Sequence, residues 1–528
     1  MPRARIAVAV TEFTPLPRRA GATPGPPESV TVRQTVRMLP TPPSLASVSV
    51  ARSAPVGADA LGVFVRPTGA VPRQVGIGRG RLAELGFEAK PGQTLLLPGR
   101  DGPSVVAVGV ADTPDTTQLR DAAAAVVRAV PKAKHVALQV GDLLTGNASE
   151  LAAGAQALVE GALLAGYRYA GLKSDPAAGA VLAQVTLAVG GKGGSGLDAG
   201  VARGTVTARA AALARELANT PASHLTARQI AELAVSLGQQ HGFTVEVFGK
   251  DQLAQLGCGG ILGVNAGSTE PPRMVKLTYT PRRRTGAHIA LVGKGVMYDS
   301  GGLSLKPTNA MSALMKLDMS GAAAVLATMT ALADLKCPNR VSAWLMCTDN
   351  MPSGSALKLG DVLRIRNGKT VEILNTDAEG RLILADGLSL ASEEQPDAIV
   401  DIATLTGSAL NSLGEAWAAV LGTDAALLDR VRASAAAADE PVWELPLTRD
   451  KYRSQLDSTV ADLKNVGGSY AGAIIAGIFL SEFVGNTPWA HIDIAGTMHS
   501  DSDRSWRSKG ATGFGTRLLI DLVTSYGA

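Results

Sequence analysis

Cysteine is scarce in this chain: Cys258, Cys337 and Cys347 are the three it has, and no two stand in C-x-x-C spacing. That excludes a disulfide framework and a thiolate-rich zinc site, and makes a reducing cytosol the expected compartment. Histidine is almost as sparse. None of His135, His224, His241, His288, His491 and His499 lies in an H-E-x-x-H segment, which disfavours a mononuclear histidine zinc protease. No G-x-S-x-G is present, against a serine hydrolase. Aromatic residues make up only 4%, so a core of small aliphatic layers is expected. A strong charge imbalance is missing too: +4 over 528 residues is too slight for an extended nucleic-acid surface. Long apolar runs are absent. The most apolar late segment, AGAIIAGIFLSEFVG (471–485), is too short and interrupted to span a bilayer. The start, MPRARIAVAVTEF, has an apolar run too short for a secretory signal, and Arg18-Arg19 leads into AGATPGPP, unlike a twin-arginine signal. A soluble cytoplasmic protein without membrane or nucleic-acid partners is expected.

What is present is an α/β pattern in two parts, as the length suggests. Residues 1–43 carry nine prolines and six arginines against two acids, the composition of a disordered leader, with Met38 an alternative start. A smaller N-terminal α/β domain is expected over 44–180. ALGVFV (60–65), QTLLLPG (93–99), SVVAVGV (104–110) and HVALQV (135–140) read as its strands, and 117–130 and 150–167 as its helices. A linker region is expected over 181–204, with VLAQVTLAV (181–189) an edge strand ahead of a flexible glycine-rich join. The larger α/β domain, 205–528, should hold a mixed central sheet flanked by helices. Its strands are HIALVG (288–293), VSAWLMC (341–347), VLRIR (362–366), TVEIL (370–374), AIVDIATL (398–405) and AHIDIAG (490–496). Helices are expected at 206–217, 225–240, 321–336, 381–393 and 471–484. Asn367-Gly368 between two β runs predicts a hairpin. It also explains GKT (368–370), which lacks the upstream glycine of a phosphate loop because Leu363 stands there.

The chemistry collects where strands end. HIALVG runs on into KGVMYDSGGLSLKP, placing Lys294, Asp299 and Lys306 beyond an apolar strand, where open α/β sheets bind ligands. Asp318 stands just before a helix. NTDAEGR (375–381) closes another strand with Asp377, Glu379 and Arg381. A DxE pair alone is usually a solvated turn, a lone aspartate before a helix is often a cap, and lysines are usually on the surface. Together, four carboxylates and three cations at strand ends are harder to dismiss. Four acids in one cleft repel and protonate unless countercharge is supplied, and two divalent cations would match them. Asp377 and Glu379, two apart in an extended loop, would share a face.

VGKGVMYDSGGLSLKP and NTDAEGRLILADGL resemble the two signature blocks of the leucyl aminopeptidase (cytosol aminopeptidase) family. ARELANTPASHLT, TLTGSALNSLG, ADLKNVGGSYAGAIIAGIFL and PWAHIDIAG are similar to further family blocks in the family's order, so the likeness covers roughly 205–528. The resemblance implies a dinuclear aminopeptidase that releases N-terminal residues from small peptides. Its metal ligands fall on Lys294, Asp299, Asp318, Asp377 and Glu379, holding two zinc or manganese ions that ready a water for attack on the peptide carbonyl. Its catalytic cations fall on Lys306, which stabilises the oxyanion, and Arg381, which holds a bicarbonate as proton shuttle. Met315, Asn375, Ala378, Thr404, Leu405, Gly407, Ala495 and Met498 would form the substrate site, an apolar cup suited to leucine or methionine side chains. The resemblance further implies a homohexamer with active sites facing an inner cavity. One departure is visible: PTNAMSALMKL, between Lys306 and Asp318, is one residue longer than the usual spacing.

Two other readings compete. Bimetallic carboxylate sites also cleave phosphate esters, but Lys294 among the ligands argues for peptides. A DNA-binding or scaffolding role resembles a second activity of some bacterial relatives, and the small net charge argues against it.

Overall fold

The computed structural model describes residues 40–99, 102–175, 179, 181–191, 194–282 and 286–527. The expected leader lies outside the described residues up to position 39.

The first six strands are β1 (Ser47–Ala51), β2 (Ala60–Val65), β3 (Thr94–Leu97), β4 (Ser104–Gly109), β5 (His135–Gln139) and β6 (Gln184–Ala188). They form one sheet in the order β1-β6-β5-β2-β4-β3, parallel throughout except where β3 runs against β4. Helices Thr116–Ala129 and Ala148–Gly166 belong to this half, and β2 is buried at every position, which is why ALGVFV reads as an unbroken apolar run. The 181–189 stretch departs from expectation. Its strand β6 lies between β1 and β5, so it is interior, and the true edge is β1, whose serines disguised it.

No loop joins this half to the next beyond residue 194. Ser195–Asn219 is a continuous helix that crosses the expected boundary at 204/205. Glycines at every fourth position let it lie on Ala148–Gly166: a Cβ on Gly196 or Gly200 would sit 2.4 or 2.2 Å from a carbonyl oxygen of that helix. Fully buried Arg215 then ties the halves together, donating to the carbonyls of Leu164 (3.0 Å), Trp506 (3.2 Å) and Thr512 (2.8 Å).

The second half begins with β7 (Thr244–Phe248), β8 (Arg273–Tyr279), β9 (His288–Asp299) and β10 (Arg340–Asn350). It continues with β11 (Val362–Arg364), β12 (Thr370–Glu372), β13 (Ala398–Ala403), β14 (Ala418–Gly422), β15 (Val442–Glu444), β16 (Leu463–Lys464) and β17 (Trp489–Asp493). Eight of these make the mixed sheet β15-β14-β17-β13-β9-β10-β8-β7. β11 and β12 pair antiparallel around Asn367-Gly368, the predicted hairpin, and β12 pairs with β16. At the centre β17, β13, β9 and β10 run parallel, so their carboxyl ends share one edge. Helices Ser320–Met329 and Thr516–Ser525 pack on one face of the sheet, Gly380–Glu393 and Gly472–Ser481 on the other. The stretch Ala310–Met329 has the length and hydropathy of a membrane span, but it is a helix, a turn and a second helix, with most of the apolar window buried.

Candidate metal centre

Lys294 lies within β9 and Asp299 ends it, at the shared edge. A register shift between β9 and β10 brings Asn350 opposite Asp299. Asn350 Nδ2 donates to Asp299 Oδ1 at 2.8 Å, and Gly301 N donates to the same oxygen at 2.9 Å. Asp299 Oδ2 is thereby turned to Lys306 Nζ, 2.8 Å away. The turn that returns Lys306 needs left-handed backbone at Gly301 (φ 88°) and Gly302 (φ 65°), which only glycine takes without strain.

NTDAEGR is a turn, which corrects the expectation of an extended loop. Asn375 Oδ1 accepts from Asp377 N at 2.8 Å, and Ala378 N donates to Asn375 O at 3.3 Å. The two acids consequently part company. Asp377 Oδ1 meets Lys306 Nζ at 2.5 Å, while Glu379 Oε1 meets Lys294 Nζ at 2.8 Å. Gly380 is a spacer by necessity, because a Cβ there would lie 2.7 Å from Lys294 Cε and Nζ. Asp318, carried on the turn after Met315–Leu317, places Oδ1 at 2.8 Å from Lys294 Nζ. Upstream of it, the segment PTNAMSALMKL forms a short helix, Ala310–Leu314, with no buried residue.

Ligand atoms of Asp299, Asp318 and Glu379 all lie within 4.8 Å of one another, each on a buried residue. Burial, with the neighbouring charge of Asp299, pushes the carboxyls of Asp318, Asp377 and Glu379 above their ordinary range, Glu379 to about 6. For Lys294 and Lys306 burial disfavours the ammonium, yet the surrounding carboxylates outweigh it and hold both above the usual lysine range. The two ammonium groups thus stand where positive charge is needed, against four acids. Asp318 Oδ2 is buried and has no hydrogen-bond partner among the described residues. An oxygen-rich donor set with excess negative charge and an unpartnered buried oxygen fits hard or borderline divalent ions. Were an ion to neutralise Asp318 and Glu379, the amine of Lys294 would be relieved of that task and could offer its lone pair instead.

Arg381, the second residue of the helix Gly380–Glu393, is buried and donates to Asn465 O at 2.8 Å. Burial brings its guanidinium down to about 10, and its Nε has no hydrogen-bond partner among the described residues. The segment after β13 puts Thr404 directly in the cluster: its carbonyl accepts from Lys294 Nζ at 2.8 Å and its hydroxyl donates to Asp318 Oδ1 at 2.7 Å. Asn375 and Ala378 lie half-buried in the NTDAEGR turn, and Leu405 and Gly407 follow Thr404. Met315 and Ala495 are half-buried, whereas Met498 is buried within the large core cluster.

Sequence reasoning missed Asn350, Asn465 and Asp493. Asn465 Nδ2 donates to Asn375 O at 2.6 Å and its Oδ1 accepts from Leu374 N at 2.9 Å, which clamps the turn. The three cysteines are buried and unpaired, and burial pushes their thiols up, away from the reactive thiolate form.

The chain is similar to known proteins over both of its halves. Residues 212–520 match the catalytic domain of the cytosol aminopeptidase family, and 80–176 match that family's N-terminal domain. A probable cytosol aminopeptidase of Leifsonia xyli subsp. xyli is 43% identical over 504 residues, 92% of this chain and 99% of that protein. One from Streptomyces avermitilis is 42% identical, covering 84% of this chain and 88% of that protein. Among solved structures, the bottromycin maturation enzyme BotP in complex with Mn superposes with TM-score 0.80 at 38% identity, covering 89% of this chain and 99% of that one. A tomato leucine aminopeptidase variant gives TM-score 0.80 at 28% identity, covering 91% and 96%. With both domains matched and the acids gathered at the sheet edge, the chain belongs to the cytosol aminopeptidase family and is a metal-dependent aminopeptidase acting on peptides.

Proposed function

We propose that Lys294, Asp299, Asp318, Asp377 and Glu379 hold two divalent ions, zinc or manganese, and that this centre removes leucine- or methionine-like residues from the free N-termini of small peptides. The observation that carries the reading is the gathering of Asp299, Asp318 and Glu379 within 4.8 Å around Lys294, with one Asp318 oxygen unpartnered. Manganese in the BotP structure supports the choice of metal. When bound, the ions would supply Lewis acidity and a water of lowered pKa, and a bicarbonate at Arg381 would supply a proton acceptor. Lys306, protonated and only partly buried, donates to the substrate carbonyl oxygen as negative charge develops there. Asp318 receives the free α-amino group, which restricts the enzyme to chain ends. Buried Arg381, with its Nε unpartnered, offers a planar fork for a small oxyanion. Met315, Asn375, Ala378, Thr404, Leu405, Gly407, Ala495 and Met498 line the first side-chain site. A homohexamer in the cytoplasm, enclosing its active sites, completes the proposal. Hydrolysis of leucine p-nitroanilide but not of p-nitrophenyl phosphate is the expected result; preference for the phosphate ester would overturn it.

A further inference from the structure

Asp493 ends β17, fully buried, on the strand next to β13. Among the described residues, its carboxylate hydrogen-bonds Leu405, Thr406 and Ala495 and none of the five residues assigned to the ions above. Instead it gathers the segment that follows β13. Oδ1 accepts from Leu405 N (3.1 Å), Thr406 N (3.4 Å) and Ala495 N (3.1 Å), and Oδ2 accepts from the Thr406 hydroxyl at 2.7 Å. Thr406 in turn caps the helix Gly407–Leu413, its hydroxyl accepting from Ala409 N at 3.0 Å. A buried carboxylate with four donors is a fixed point.

What it fixes is Thr404, one residue upstream. Among the described residues, Thr404 hydrogen-bonds both Lys294 and Asp318 through different atoms, carbonyl to amine and hydroxyl to carboxylate. Each contact has a consequence for ligation. An amine that offers its lone pair to an ion must place its N–H groups on acceptors, and the Thr404 carbonyl is an acceptor that carries no charge and cannot itself draw the proton away. The Thr404 hydroxyl occupies Asp318 Oδ1, which leaves Oδ2 as the unpartnered oxygen. Thr404 therefore selects which face of Lys294 and which oxygen of Asp318 are offered.

The cluster has two sides, Lys294 with Asp318 and Glu379, and Lys306 with Asp299 and Asp377. We infer that Asp493 is a positioning residue that, through Thr404, sets the affinity for an ion on the Lys294–Asp318 side while leaving an ion on the Asp377 side unaffected. Outer partners of metal ligands commonly govern affinity about 10–100-fold. Asp377 depends on a different support, the Asn375 turn and Lys306. This inference rests on the two-ion reading above.

The test is stepwise Mn2+ titration of metal-free full-length protein by calorimetry, with thermal unfolding of the same metal-free samples. Wild type should show two binding events. Asp493→Asn and Thr404→Val should each weaken one event about tenfold or more and leave the other within about twofold. Thr404→Ser, which keeps the hydroxyl, should restore the wild-type titration. The double variant Asp493→Asn, Thr404→Val should be no weaker than the worse single variant, because the two act in series. Equal weakening of both events, or no change in either, would overturn the inference. So would weakening that tracks only a drop in the melting temperature of the metal-free protein. If Thr404→Val folds and Asp493→Asn does not, the Thr404 pair alone decides. Failure of wild type to bind two ions would sink the parent reading rather than this step alone.

Discussion

Gly380 and Lys294 are packed so closely that a Cβ at position 380 would lie 2.7 Å from the lysine's Nζ. That nitrogen is held by three oxygens, those of Asp318, Glu379 and Thr404, each at 2.8 Å, so it cannot swing aside freely. The glycine inside NTDAEGR is thus a requirement of the lysine's position.

Gly380→Ala should therefore act on the site before it acts on the fold. Displacing Lys294 by a fraction of an ångström to an ångström should lower kcat/KM about 10²-fold. Local overpacking should cost about 1–3 kcal/mol. Steady-state kinetics beside a denaturant melt would check this, and unchanged kinetics would show that Lys294 has room the structure does not give it.

Lys306 should behave differently from the ion ligands. It faces Asp299 and Asp377 yet remains a quarter exposed. Lys306→Met should reduce kcat by about 10²–10³, the usual loss for one oxyanion donor, with KM nearly unchanged. Elemental analysis should still find the ions in place. Loss of ions together with activity would make Lys306 a structural neutraliser.

An acylated N-terminus should be rejected. If Asp318 receives the free amine, N-acetyl-leucine p-nitroanilide leaves that buried polar group unpaired, and kcat/KM should fall about 10⁴-fold. Equal cleavage of both compounds would remove Asp318 from amine binding.

The metal-free protein should have an unusual pH dependence. Glu379 moves from an ordinary value of 4.5 to about 6, raised by burial and by Asp299. Between those values the folded state binds more protons than the unfolded one, so stability falls as pH rises through the window. The loss from Glu379 is about 2 kcal/mol, and Asp318 and Asp377, also raised, add to it in the same direction. Chemical denaturation at pH 4.5 and 6.5 should show it, and added Mn2+ should reverse it at the higher pH. A metal-free protein that grows more stable across this range would contradict the crowding of acids.

The placement of residues was legible in the sequence where charged side chains and strand ends coincide. Lys294 and Asp299 on one apolar strand, and Asp377 with Glu379 before an Ala/Leu-rich helix, are visible because local pattern marks both the element and its end. Asn350 was not visible. It stands in TDNMPSG, which reads as a turn, and its role arises only from the register shift that sets it beside Asp299. Asp493 was hidden for a similar reason: HIDIAG gives the strand, but only β13 lying next to β17 brings Leu405 and Thr406 to its carboxylate. Strands β7, β8, β14 and β15 escaped notice because they are short, partly polar or flanked by stronger helix signals. The extended geometry expected of NTDAEGR failed because Asn375 closes an Asx turn, a side-chain contact that alternation rules ignore.

Elemental analysis of the purified protein, paired with activity before and after chelation, bears most directly on the whole account. Two divalent ions per chain, loss of leucine p-nitroanilide hydrolysis on their removal, and its return with added Mn2+ are the expected results. Full hydrolysis by a preparation free of metal would contradict it.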